Sequence, residues 1–228
     1  QGWRLKFWSA FCDKMGMVMG VVREEMPAFT VLATTASYEV RRYAPSVVAE
    51  CSYGAGGWGK GADGSPFGAL ARYIGVFGEA QNAQKGGAAE KISMTAPVLV
   101  TAPEKIPMTA PVLVTPPANQ PDQSHTMAFV LPASKYSSAA EAPQPTDPRV
   151  TLRQLPERVQ AVRRFTWNFR PEAARCNLAL LLADLDNDGW TVVRDGAGEP
   201  EWQAAGYNPP FALPFMKRNE VLVSVLAK

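Results

Sequence analysis

Residues 65–77, SPFGALARYIGVF, decide the fold, because they predict a helix between two groups of strands. Ser65 followed by Pro66 is typical of a helix N-terminus, and Gly78 is a typical helix end. Apolar side chains recur in this stretch at helical spacing. They are Phe67, Leu70, Ala71, Ile74 and Phe77. We therefore expect an amphipathic helix with one apolar face.

Strand patterns surround this helix and are repeated around a second one. Before residues 65–77 they lie at 29–34, 38–43 and 46–53, and after them at 98–100 and 125–131. The later patterns are strands at 149–154 and 159–169, a helix at 171–188, and strands at 190–193, 201–207 and 219–226. Helices do not alternate singly with strands, so a doubly wound parallel sheet is disfavoured. The order predicts an α+β fold: an antiparallel-rich sheet curved into a β-barrel, with two amphipathic helices and two similar, pseudo-symmetric halves.

A direct duplication follows the first helix. Residues 90–103 read EKISMTAPVLVTAP and residues 104–117 read EKIPMTAPVLVTPP, so two of fourteen aligned positions differ. Both copies contain Val-Leu-Val and compete for one place in the sheet. Because Pro107 lacks a backbone donor, we expect the first copy to form the strand and the second to lie in a hairpin or loop.

Composition excludes several classes of site. The chain has 228 residues, a net charge of +2 and one histidine, His125. A single histidine excludes bis-His haem ligation and His-rich zinc sites, and the small net charge gives no sign of nucleic-acid binding. Cys12, Cys51 and Cys176 form no CxxC motif, which favours reduced thiols in an intracellular compartment. No apolar run reaches the roughly 18 residues of a membrane span.

Two partial motifs have ordinary interpretations. Gly59, Gly61 and Gly64 satisfy G-x-G-x-x-G, but the linker and duplicated strand that follow do not suit a dinucleotide fold, so a flexible loop is favoured. Asp184 and Asp188 belong to a stretch that matches half of a calcium loop without its bidentate Glu. The solvated end of the second helix is the favoured interpretation there.

Five segments in order resemble the SOUL haem-binding protein family, especially its plant and algal members. They are YEVRRYAPSVVAE (38–50), ALARYIGVFGEAQN (69–82), EKISMTAPVLV (90–100), EAPQPTDPRV (141–150) and GYNPPFALPFMKRNEVLV (206–223). The resemblance covers about residues 15–228 as a single domain and leaves residues 1–14 as an N-terminal arm.

The resemblance implies a distorted β-barrel that binds haem and other tetrapyrroles non-covalently, with a role in their transport or buffering and no settled enzyme activity. In the animal member that ligates iron through histidine, the ligand follows the Tyr-Glu-x-Arg motif. That position is Arg42 here, and His125 does not match it. We therefore expect binding without axial histidine and without a protein-held metal.

The resemblance also implies where the ligand lies, namely along the first helix. The expected apolar contacts are Leu70, Ala71, Ile74 and Phe77, with Arg72 pairing a propionate and with Lys217 and Arg218 as further basic candidates. The alternative for the apolar residues is core packing against the sheet.

Two other functions and two compartments stay open from the sequence. The chain could be a fold-retaining interaction subunit that has lost its ligand, with a partner bound through the aromatic and basic residues of 1–14. A tetrapyrrole-modifying enzyme is the third possibility, and no catalytic motif supports it. We expect a soluble cytoplasmic protein, with a plastid location as the alternative.

Overall fold

A computed structural model describes the chain over residues 24–53, 65–76, 78–83, 89–101, 125–196, 198–208 and 212–227. The strands are β1 (Phe29–Thr34), β2 (Glu39–Tyr43), β3 (Ser46–Tyr53), β4 (Asn82–Ala83), β5 (Val98–Thr101), β6 (His125–Val130), β7 (Gln144–Pro145), β8 (Val150–Leu155), β9 (Arg158–Phe165), β10 (Trp202–Gly206) and β11 (Asn219–Ser224). The α-helices are α1 (Pro66–Ile74) and α2 (Pro171–Asn187), and a 3-10 turn spans Pro214–Met216.

Nine strands form one curled sheet in the order β1-β2-β9-β11-β10-β5-β6-β3-β8. Every neighbouring pair is antiparallel, and β4 pairs separately with β7. The sheet curves into a half-barrel that carries both helices. This confirms the predicted α+β fold with an antiparallel, barrel-like sheet.

The strand order contains two equivalent halves. The first half runs β2-β3-α1-β5-β6 along the chain and the second runs β8-β9-α2-β10-β11. In the sheet, β5 pairs with β10 at the centre, β6 and β11 flank this pair, and β3 and β9 come next. The edge positions are exchanged, because β2 pairs with β9 and β8 pairs with β3. The two predicted halves are therefore present and interlocked.

Side chains alternate between two faces of the sheet, as the pleat requires. On β3, Val47 and Ala49 pack against α1, whereas Val48 belongs to a separate apolar cluster with Leu99 and Leu222. We call the face covered by the helices the outer face and the opposite, curled-in face the inner face. The second helix α2 covers the outer face of the second half, over β9 and β11.

The duplicated segment enters the sheet through its first copy. Val98–Thr101 of that copy forms β5, hydrogen-bonded between β10 and β6. This confirms the expected role of the first copy. The second copy, the glycine-rich stretch 54–64 and the arm 1–14 lie outside the described residues.

Two predicted element ends and one predicted strand were wrong. Helix α1 ends at Gly75 rather than Gly78, because Gly75 adopts φ 82° and its N–H donates to Ala71 and Arg72 carbonyls. Strand β9 ends before Trp167, whose φ of 75° leaves the extended region while its N–H donates to the Pro214 carbonyl at 2.8 Å. Residues 190–193 form no ladder strand and contribute only an isolated bridge at Val192.

Candidate functional site

The predicted apolar contacts of α1 lie in the protein core. The Ser65 side chain accepts a hydrogen bond from the Gly68 N–H at 3.0 Å and fixes the helix start. Leu70 and Ala71 are 0% exposed and Ile74 is 2% exposed, within a cluster formed with the outer faces of β3 and β6. Packing accounts for their burial, so a ligand contact through these three residues stays a prediction. Phe77 lies outside the described residues.

The exposed part of α1 is aromatic at its N-terminal end. Phe67 is 36% exposed, and its ring meets the Phe129 ring edge-on with centroids 5.4 Å apart. Val76 is also exposed, one residue after the helix cap. A flat apolar group approaching α1 would therefore meet Phe67 or Val76 rather than the buried stripe.

Two cations beside α1 act on one carboxylate. Arg149 Nη2 lies 2.6 Å from Asp147 Oδ2, and its guanidinium remains about half exposed. The hydrogen bonds from Arg149 hold the pKa of Asp147 below its usual range, and the nearby charge of half-buried Arg72 adds to this effect. Such a pair of guanidinium groups can receive carboxylates. Sequence reasoning missed Arg149, although the EAPQPTDPRV segment contains both it and Asp147.

Cys51 lies next to this cluster, and its thiol donates to the neighbouring Ser52 carbonyl at 3.8 Å. Burial raises the pKa of its thiol, and the nearby Arg149 only partly opposes that shift. A thiol that is buried and protonated is a poor nucleophile and a poor metal ligand. We therefore assign Cys51 to the core under α1.

The two C-terminal basic candidates have different environments. Lys217 is buried and its Nζ donates to Asn168 Oδ1 at 3.1 Å. Arg218 instead reaches the inner face, where its Nη2 donates to Glu220 at 2.7 Å and its guanidinium lies 4.2 Å from the Tyr207 ring centroid. These contacts belong to the second half of the fold. The structure therefore does not bring Lys217 and Arg218 into the Arg72 cluster.

A buried ion pair occupies the inner face, and it was not predicted. Arg41 Nη1 lies 3.1 Å from Glu220 Oε2, and both side chains are 0% exposed. Glu220 also accepts hydrogen bonds from the Tyr207 hydroxyl at 2.5 Å and from Arg164 Nε at 3.2 Å. Burial alone would raise the pKa of Glu220, but Arg41 and Arg218 outweigh it, and the net shift is downward. Glu220 is therefore a buried carboxylate kept ionised by arginines.

The residues considered for metal binding have other partners. Asp184 accepts from Arg163 Nη1 at 2.9 Å and from Ser37 Oγ at 2.8 Å, and the Tyr38 hydroxyl donates to Asp188. These contacts hold α2 to the sheet, and Asp186, Asn187 and Asp188 are exposed, which agrees with the expected solvated helix end. Among the described residues, no three His, Cys, Asp or Glu side chains are grouped to hold a metal ion.

The two positions relevant to axial ligation lie on strands. Arg42, which the resemblance aligns with the histidine ligand of an animal member, is about half exposed and lies 3.7 Å from Glu157. His125 begins β6 with its backbone opposite Tyr53. None of the described helices is long and apolar enough to cross a membrane.

Comparison with solved structures finds matches at low sequence identity and with TM-scores below 0.5. The EcmrR C-terminal domain matches at 9% identity with a TM-score of 0.48, over 88% of this chain and 99% of that one. A hydrolase from Listeria innocua matches at 12% identity with a TM-score of 0.47, over 86% of this chain and 94% of that one. A structure of SAV2435 bound to tetraphenylphosphonium matches at 9% identity with a TM-score of 0.45, over 83% of this chain and 94% of that one.

Sequence comparison identifies the family. No curated protein matches the chain. The family model described as SOUL heme-binding protein matches residues 24–105 and 101–224, two segments that meet at the junction of the duplicated copies. Together they span most of the chain, including both halves of the sheet. The chain therefore belongs to the SOUL heme-binding protein family, and this membership implies binding of haem or a related tetrapyrrole.

Proposed function

We propose that this protein is a carrier or buffer that binds haem or another tetrapyrrole non-covalently at the surface of α1. The family match over residues 24–224 carries the proposal. When bound, the tetrapyrrole supplies a flat apolar face and acidic propionates. The part of α1 open to such a ring is Phe67, with Leu70 and Ile74 supporting the helix from beneath.

The propionates would be received by Arg72 and Arg149. Both cations already act on the Asp147 carboxylate, which supports their ability to pair with a carboxylate group. A propionate would share them with Asp147 or displace it. Lys217 and Arg218 are weaker candidates in this proposal, because Asn168 and Glu220 already engage them.

The binding mode does not use an axial histidine. Arg42 stands at the family's ligand position, and we expect no iron coordination there because an arginine replaces the histidine. A site that recognises only the ring face and the propionates does not distinguish a metal-containing ring from a metal-free one. The protein should then accept haem and protoporphyrin alike.

Paired titrations with haemin and protoporphyrin IX test the proposal. We expect saturable one-to-one Soret shifts with both compounds. Arg72→Glu should weaken both affinities by about tenfold or more, because a charge-assisted hydrogen bond is replaced by repulsion. Arg42→Glu is the matched control, since Arg42 is an exposed arginine on β2 rather than on α1, and it should leave both affinities unchanged.

The opposite outcomes are equally clear. If neither compound binds, the carrier function is contradicted and the interaction-subunit alternative remains. Deletion of residues 1–14 tests that alternative, because it should abolish co-purification of a partner. Binding of haemin without protoporphyrin IX would instead show recognition of the metal. Equal losses of affinity in Arg72→Glu and Arg42→Glu would contradict the proposed propionate contact.

A further inference from the structure

Helix α2 presents an apolar face to solvent as well as to the sheet. Its inward face buries Ala174, Leu181 and Leu185. Four apolar side chains of its outward face are exposed: Cys176, Ala179, Leu180 and Ala183. Their positions follow the i, i+3, i+4, i+7 spacing of a single helix face. Covering the sheet requires only one apolar face, so the outward one is not explained by the fold.

The middle of α2 carries no charge that would suit this outward face to water. Between Arg175 and Asp184 the helix contains no charged residue, and its one polar side chain, Asn177, donates to the Ala173 carbonyl at 2.9 Å. Leu180, at the centre of the outward face, is 52% exposed. A contiguous apolar patch bordered by polar residues marks an interaction surface.

The charges that border this face have opposite signs at the two ends of α2. Arg175 lies toward the N-terminal end, whereas Asp184, Asp186 and Asp188 lie at the C-terminal end, where the last turn has no basic residue. The helix dipole disfavours acids at a C-terminus. Asp184 and Asp188 have partners within the chain, but among the described residues neither Arg175 nor Asp186 forms an ion pair. A cation from another molecule would therefore be stabilised beside Asp186.

A second copy of α2, running in the opposite direction, supplies that cation. Arg175 lies five residues before Leu180, and Asp186 lies six residues after it. Because these eleven residues make about three helical turns, Arg175 and Asp186 project from the same flank of α2. A two-fold axis at Leu180 reverses the helix direction and brings like flanks together. Each Arg175 then faces the partner's Asp186, and the contact contains this ion pair twice.

The same axis matches the other positions of the outward face. Leu180 meets the partner's Leu180, and Cys176 faces the partner's Ala183. Glu172, the acid on this face, lies opposite the partner's Asn187 and not opposite another acid. Small side chains beside the axis let the two helix axes approach to about 8 Å. A parallel pairing would instead set each charge against its own like, so the antiparallel one is favoured.

We propose that two copies of this chain form a dimer by antiparallel pairing of their α2 helices, with Leu180 at the two-fold axis and an Arg175–Asp186 pair on each side. One helix face is smaller than the roughly 800 Å² per partner of a standard interface, so the dimer is weak and forms at high protein concentration. Helix α2 lies over β9 and β11, whereas α1 lies over β3, β6 and β8. The contact therefore leaves the α1 surface free and does not depend on tetrapyrrole binding.

Sedimentation velocity of the full chain over a range of concentrations tests the dimer. We expect a monomer at about 1 µM and a dimer fraction that grows toward about 1 mM. Arg175→Asp and Asp186→Arg should each raise the dissociation constant about fivefold or more, because two attractions become repulsions. The double variant Arg175→Asp/Asp186→Arg restores both pairs and should return the constant to within about twofold of the wild type. Arg153→Asp, on the far edge strand β8, is the matched control and should change nothing.

Disulfide trapping in a Cys12→Ser background tests the register. Ala183→Cys places a thiol opposite the partner's Cys176, so mild oxidation should trap a covalent dimer. In the background chain the two Cys176 residues lie on opposite sides of the axis, about 12 Å apart along the helices, which is too far for a disulfide. Thr151→Cys, an exposed position on β8, is the control and should give no more covalent dimer than the background chain.

Four results would overturn the assignment. Three concern sedimentation: a monomer at every concentration, single charge reversals without effect, or a double variant that dimerises no better than the single ones. The fourth is a covalent dimer that forms through Cys176 in the background chain as readily as in Ala183→Cys, which would contradict the antiparallel register. Every substituted position on α2 is exposed, so the variants should fold, and circular dichroism checks that they do.

Discussion

The outer and inner faces of one sheet are filled by different chemistry. On the outer face, α1 and α2 seal apolar clusters, and the main polar link is the Arg163–Asp184 pair at 2.9 Å, which is partly exposed. On the inner face, a fully buried Arg41–Glu220 pair sits beside the apolar cluster that contains Leu99. The same backbone thus supports an apolar core on one side and, on the other, an apolar cluster that also contains a buried charged network.

This difference shows where the fold depends on a few specific contacts. An apolar cluster tolerates small rearrangements, because its stabilisation is spread over many weak contacts. A buried ion pair does not, because each charge relies on its partner for the solvation it has lost. The inner face should therefore respond more sharply to a single substitution than the outer face does.

The largest expected effect is that of Glu220→Leu. It leaves Arg41 buried with only Glu39 as an acidic partner and removes the acceptor of the Tyr207 hydroxyl. We expect a loss of about 3–5 kcal/mol in the free energy of unfolding, measured by urea denaturation. Glu157→Leu removes an exposed acid 3.7 Å from Arg42 and should cost about 1 kcal/mol or less. Similar losses in the two variants would mean that the inner network adds nothing to stability.

The outer face was predictable from sequence and the inner network was not, for a physical reason. Helical spacing in residues 65–77 is a local pattern, and it correctly placed Ser65 as the cap and Leu70 on the apolar face. The Arg41–Glu220 contact joins residues 179 positions apart. Alternation does put Arg41 and Tyr43 on one face of β2, but nothing local identifies which acid they meet.

The candidate α1 site was predicted in part for the same reason. The position of Arg72 on α1 follows from the helix itself, whereas its meeting with Asp147 and Arg149 requires the loop before β8 to fold back under α1. Lys217 and Arg218 are neighbours in sequence, yet adjacent positions of an extended chain project to opposite sides. Lys217 and Arg218 therefore lie in two separate environments.

The outer face should respond to truncation at its most buried position. Leu70→Ala removes a fully buried side chain from the cluster between α1 and the sheet, and we expect a loss of about 2–5 kcal/mol in the free energy of unfolding. Leu180→Ala on α2, where the leucine is 52% exposed, should stay within about 0.5 kcal/mol of the wild type. If Leu70→Ala instead kept full stability and lost haemin affinity, Leu70 would be a ligand contact and the outer cluster would be less tightly packed than its burial indicates.

The smallest expected effect is a change with pH in the stability cost of a substitution. It should occur for a residue of the inner face and not for one of the outer face. The pKa of Glu220 is lowered in the folded protein, so its interactions stabilise the fold above the unfolded pKa of about 4.3 and are lost as pH falls through the folded pKa. The stability difference between wild type and Glu220→Gln should therefore be largest at neutral pH and shrink progressively below about pH 4. Urea denaturation at a series of pH values measures this difference. The cost of Leu70→Ala should stay constant across the same series, because that substitution removes no ionisable group. A Glu220→Gln difference that stayed equally constant would show that the carboxylate is not ionised in the fold, and the arginines around it would then need another counter-charge.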